Sequence, residues 1–114
     1  MKLPFITISV TSEAKIAVPT LSAYTMPQHE VKCTLSKITA LRTITWHIPT
    51  SLEDMTIDQG TYAGNAQTST LTLTPAQLVI LKKASNAAHV ITCKYTVGST
   101  VITATQSLTL YTPG

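Results

Sequence analysis

The sequence predicts an all-β domain, and three short runs carry the prediction. They are Val31-Lys32-Cys33-Thr34-Leu35, Ile44-Thr45-Trp46-His47-Ile48 and Ile91-Thr92-Cys93-Lys94-Tyr95. In each, apolar side chains fall at alternate positions, which is the period of a strand with one buried face. The buried set holds both cysteines and the only tryptophan, so two sulfurs and an indole point into one core. Composition agrees. The chain is 44% hydrophobic and only 11% charged, and it is rich in threonine, a β-branched, half-polar residue suited to the outer side of a sheet.

Trp46 lies 13 residues after Cys33, and Cys93 lies 60 after it. On this Cys–Trp–Cys order and spacing the chain resembles the immunoglobulin superfamily over most of its length. The resemblance implies an immunoglobulin-like β-sandwich of two antiparallel sheets, an inter-sheet disulfide between Cys33 and Cys93, and Trp46 packed against that bridge. A bridge closing so long a loop contributes roughly 4 kcal/mol, against a total stability of ~5–15 kcal/mol for a typical domain. The chain departs from the family at the tyrosine corner: Ile91 stands two residues before the second Cys, and Ala87 stands where the family places an acid. The residues alone also leave open two buried free thiols in a cytosolic β-protein.

Taken in order, Phe5 to Val10 alternates and reads as an edge strand, with Pro4 at its start. Ile16 to Val18 is a second short extended piece closed by Pro19, and Leu21 to Pro27 reads as loop or irregular strand. His29 to Ser36 is the first Cys strand, Lys37 to Ala40 a connection, and Leu41 to Ile48 the Trp strand, stopped by Pro49. Between Ser51 and Gln67, where Glu53, Asp54 and Asp58 gather, short strands are expected near Met55–Ile57 and Thr61–Ala63. Ser69 to Thr74 is a strand with Leu71 and Leu73 inward and Thr70 and Thr72 outward.

Thr74-Pro75-Ala76-Gln77 is a capping box with proline at the first helical position. It opens roughly two turns of helix that bury Leu78 and Leu81, place Lys82 and Lys83 at the negative end, and stop near Asn86. In the family's lettering this short helix lies between strands E and F, where Leu78 and Leu81 are expected to fill the place of the absent tyrosine ring. His89 to Val97, Gly98-Ser99 and Thr100 to Tyr111 form a hairpin, with Gly98 suiting a type II′ turn. In antibody variable domains this loop is long and carries specificity, so its shortness points to an I-set or C2-like module.

At 114 residues the chain is one domain, 1–114. Met1 reads as a start residue on a piece excised from a larger extracellular protein, and Tyr111-Thr112-Pro113-Gly114 as the run into a linker. The net charge of +3 is scattered, with no basic stripe for nucleic acid, and no apolar run reaches the ~20 residues that span a bilayer. No Asn-x-Ser/Thr glycosylation signal occurs. No nucleophile or phosphate-loop motif is present. His29, His47 and His89 are far apart in sequence and read as surface or rim histidines, so neither a metal nor another cofactor is expected.

The candidate interaction site is a sheet face. With Trp46 and Cys93 inward, strand parity turns Thr43, Thr45 and His47 outward on one strand, Thr92, Lys94 and Thr96 on the next, and Val101, Thr103 and Thr105 on the last. By the resemblance these strands are neighbours and form a threonine-rich, weakly charged face. The expected function is extracellular protein–protein recognition or cell adhesion, homophilic or heterophilic. The alternatives are a structural spacer in a tandem array and, third, an enzyme or metal-dependent module. The bland reading of the threonines is that they simply suit solvent-facing strands.

Overall fold

The computed structural model describes residues 5–18, 28–50, 52, 55–84 and 88–111. The expectations at Pro4, Pro19, Leu21–Pro27, Glu53, Asp54 and Asn86 lie outside them. Nine strands and one helix are formed among the described residues: β1 (Thr7–Thr11), β2 (Lys15–Ala17), β3 (His29–Ser36), β4 (Thr45–His47), β5 (Thr56–Asp58), β6 (Tyr62–Ala63), β7 (Ala66–Leu73), α1 (Pro75–Ala84), β8 (His89–Val97) and β9 (Thr100–Tyr111). They build two sheets. The first runs β1-β3-β7-β5, with β6 also on β7; the second runs β2-β9-β8-β4.

The inward side chains of both sheets fill the space between them. Val31, Cys33 and Leu35 on β3, Leu71 and Leu73 on β7, Ile91 and Cys93 on β8, and Leu108 and Leu110 on β9 are all buried. Each sits at every second position, as the alternation requires. Cys33 and Cys93 are bridged, with Cα atoms 6.4 Å apart, so both cysteines of the chain are consumed and the free-thiol alternative falls.

Trp46 runs a second link beside the first. Cys33 is the register partner of Ser69 in one sheet, and Cys93 that of Trp46 in the other. The half-buried indole donates Nε1–H to Ser69 Oγ at 2.9 Å. A covalent bond and a hydrogen bond thus cross between the sheets at neighbouring positions. The indole also packs against both clusters into which the core divides.

The second sheet is not antiparallel throughout. β2 pairs parallel to β9, with Lys15 opposite Thr109 and Ala17 opposite Tyr111, which corrects the expectation of two wholly antiparallel sheets. The cause is topological: the chain leaves β1 in the first sheet, crosses over at residues 12–14 and arrives at β9 still running in the same sense. Thr109 N–H donates to Ala14 O, and Val18 N–H to Tyr111 O, both at 2.7 Å.

The Trp strand is also shorter than its alternation predicts, Thr45–His47 rather than Leu41–Ile48. The segment ahead of it bonds to side chains instead of a strand. Gln59 accepts from Ile44 N–H and donates to Ile44 O, both at 2.7 Å. Gln67 does the same for Arg42 at 2.8 Å on each side. Two carboxamides, each offering a donor and an acceptor, stand in for a missing strand.

The capping box forms as read. Gln77 N–H donates to Thr74 Oγ1 at 3.2 Å, and Thr74 N–H donates back to Gln77 Oε1 at 2.9 Å. α1 runs ten residues, nearly three turns rather than two, and buries Leu78 and Leu81 completely against the larger cluster. The β8–β9 hairpin turns at Gly98, φ 59°, with Ser99 at negative φ, the type II′ geometry. A second two-residue turn, Gly64-Asn65 with φ 60° and 64°, joins β6 to β7 in type I′ form.

Candidate functional site

The second sheet carries the expected face in cross-strand rows. Thr45, Lys94 and Thr103 form one row; His47, Thr92 and Thr105 form the next; Thr96 lies opposite Val101. Thr43, Thr45, His47, Lys94, Thr96, Thr103 and Thr105 are exposed, while Thr92, central in its row, is half-buried. Thr45 Oγ1 donates to Lys94 O at 3.4 Å, which ties part of one hydroxyl to the sheet itself.

Threonine content does not single this face out. The outward side of the first sheet is lined the same way: Thr11, Lys32, Thr70 and Asp58 form one row, and Ser9, Thr34 and Thr68 another. There Thr34 and Thr68 bond hydroxyl to hydroxyl at 3.0 Å. Two other properties separate the faces. No strand of the second sheet contains a carboxylate, whereas Glu30 and Asp58 sit on the first. Outward on the second sheet, Val90, Val101 and Tyr111 are exposed large apolar side chains, and Val101 is 53% exposed. The outward side of the second sheet thus mixes exposed apolar and aromatic groups with uncharged hydroxyls.

At one corner of this face the diverted segment opens a groove. Because residues 42 and 44 are held by Gln67 and Gln59, the chain pulls away from β8 above the Thr45–Lys94 pair. Leu41, Arg42, Thr43, Lys94, Tyr95 and Thr96 line the opening. Arg42 Nη2 donates to Thr39 Oγ1 at 3.5 Å, and its buried Nε has no partner among the described residues. Sequence reasoning missed both glutamines. The available signal was a long polar residue at an inward position: Gln67 shares the parity of Ser69, Leu71 and Leu73 and is buried.

The three histidines occupy separate places. His47 is exposed on the face, and His29 is half-buried at the start of β3. His89, expected at the surface or rim, is instead 5% exposed, because its parity with Ile91 and Cys93 carries it inward. Burial holds His29 below its ordinary 6.5, with the charges of Glu13 and Glu30 acting against that shift. Among the described residues no group of three or more His, Cys, Asp or Glu is placed to hold a metal ion, and no helix is long and apolar enough to cross a membrane. Compared with known proteins, the chain matches no family model, no curated protein and no solved structure.

Proposed function

We propose that this chain is an immunoglobulin-like domain of the I-set or C2 kind that works outside the cell by protein–protein contact through the outward face of its second sheet. Support for the family comes from the strand order. In its lettering the first sheet reads A-B-E-D and the second A′-G-F-C, with the bridge between B and F and the tryptophan on C. The tyrosine corner is missing, and α1 with Leu78 and Leu81 occupies the connection that would have carried it. Support for an extracellular setting comes from the disulfide, which persists in oxidising compartments.

The observation that carries the contact surface is the asymmetry between faces. Exposed Val90, Val101 and Tyr111 share the second sheet with Lys15, His47 and Lys94, and no strand there bears an acid. Such a surface suits a neutral or acidic partner. Beads coated with the domain are expected to cluster with one another or bind cells. Thr45→Arg, which plants a bulky charge in the central row, and Lys94→Glu, which reverses its charge, are expected to abolish the binding. Coated beads that bind nothing, or binding indifferent to both changes, would count against the reading. A spacer role is the second reading, favoured by the parallel pairing of β2 with the last strand.

A further inference from the structure

We infer that the groove between residues 41–43 and the end of β8 takes an extended segment of a partner protein, with an acidic side chain of that segment seated between Arg42 and Lys94. The inference rests on the reading of the second sheet as a contact surface and names what that surface grips. The opening measures about 470 Å³. Pockets that hold small ligands run to about 300–1,000 Å³, so there is room for more than a lone ion.

Charge sets the chemistry. No acid lines the groove, while Arg42 and Lys94 both do. Lys94 is exposed on the outward side of β8. Arg42 has the inward parity of Ile44 and Trp46 and is half-buried. Its Nε is shut off from water without an acceptor, and its one side-chain bond among the described residues is the 3.5 Å contact from Nη2 to Thr39 Oγ1. Buried donors in native proteins are nearly always paired, so this guanidinium is short of an acceptor. A carboxylate supplies one, its two oxygens matching the planar fork of N–H groups. A half-buried cation also holds an anion more tightly than a fully hydrated one, because less water screens the pair.

The backbone favours an acid that arrives on a chain. Thr109 N–H and Tyr111 O face β2, so odd residues of β9 direct their polar groups away from β8 and even ones toward it. Cys93, opposite Ala104, therefore points to β9, and Lys94 and Thr96 point to the β4 side. Lys94 meets Thr45 there, and the pairing stops. Thr43 would be next, but residues 42 and 44 are held by Gln67 and Gln59. No backbone bond joins Thr43 to Thr96 among the described residues. Thr96 thus offers an N–H and a C=O to the groove, the groups by which an extended chain is held. Leu41, 59% exposed, adds an apolar wall beside the charges. The matching segment carries an acidic residue next to an apolar one.

Panning a random heptapeptide phage library on the whole chain, with Arg42→Gln protein as counter-selection, tests it. The recovered peptides are expected to share an Asp or Glu beside an apolar residue. One of them, synthesised with both ends capped, is then titrated into isotope-labelled protein and followed by NMR. The Arg42 side-chain N–H and the Thr96 amide are expected to shift together. Replacing the acid by its amide should weaken binding about tenfold or more, the worth of one charged hydrogen bond. Arg42→Gln should weaken the acidic peptide as much, and Lys32→Gln on the first sheet should not. Should Arg42→Gln fail to fold, the comparison of acid with amide on the wild-type chain decides. A library that yields no peptide, peptides without a shared acid, equal binding of acid and amide, or acetate that matches the peptide in affinity overturns the proposal. Coated beads separate it from the broader reading. Bead binding that persists while the peptides fail sinks the groove and leaves the contact face standing. Beads that bind nothing, beside an acidic peptide that docks at Arg42, sink the adhesive role and leave the groove.

Discussion

Replacing Gln67 by leucine tests whether a side chain really serves as a strand. Gln67 is 1% exposed, and its carboxamide makes three hydrogen bonds: it accepts from Arg42 N–H, and it donates to Arg42 O at 2.8 Å and to Gln59 O at 2.9 Å. Leucine has a similar volume and none of these groups, so one backbone N–H and two carbonyls lose their partner. A buried polar group left unpaired costs about 1–3 kcal/mol. Three such groups, partly reached by water and partly offset by the apolar gain of leucine, amount to about 3 kcal/mol. Urea unfolding followed by the fluorescence of Trp46, the only indole, measures it. With a slope of about 1.5 kcal/mol/M the midpoint should fall by about 2 M. Gln67→Glu should be at least as damaging near neutral pH, because a carboxylate cannot donate and would face two carbonyl oxygens. A Gln67→Leu protein within about 0.5 kcal/mol of wild type, the range of ordinary surface changes, would refute the idea that residues 41–44 depend on this side chain.

Three further outcomes follow from packing and charge. Leu81 is fully buried on α1, so Leu81→Ala should cost about 2–5 kcal/mol in the same unfolding assay, and a loss under about 0.5 kcal/mol would remove the helix from the core. Gly60→Ala should lower the melting temperature sharply, because Gly60 has φ 75° and an added Cβ would land on the Thr68 carbonyl oxygen; an unchanged melt would mean that this backbone shifts freely. For His29, burial lowers the folded value below 6.5 while Glu13 and Glu30 act against it. Below 6.5 the unfolded chain therefore binds the proton more readily, and stability should decline as pH falls from there toward the folded value, with no contribution above it. His29→Gln should flatten that stretch of a stability-against-pH curve, and a curve of unaltered slope would assign the decline to other groups.

What the sequence made legible was whatever a local pattern encodes. The bounds of the first Cys strand, the β8–β9 hairpin and the reciprocal capping bonds of Thr74 and Gln77 all follow from residues within a few positions of one another. What escaped was non-local. Leu41 to Ile48 alternates like a strand throughout, but strand pairing needs a neighbour, and at residues 42 and 44 the neighbour is a glutamine 25 or 15 positions away. The parallel pairing of β2 rests on three residues meeting the far end of the chain, and no periodicity announces the direction in which a strand is joined. The face was legible only in outline: parity named its residues, of which Thr92 is half-buried, and threonine lines both sheets. The exposed apolar groups and the distribution of acids between sheets became meaningful only once the strand order was known.

The same parallel pair has a mechanical consequence. Where neighbouring strands run in one direction, tension applied through the start of β2 and the end of β9 pulls along their common axis. The bonds between Ala14 and Thr109 and between Val18 and Tyr111 then bear the load together instead of opening one after another like a zipper. Should that clasp slip, the covalent tie at residues 33 and 93 keeps the 60-residue span between them from paying out. Stretched between two anchors, this domain would resist first at that clasp, and only the segments outside residues 33–93 could then extend.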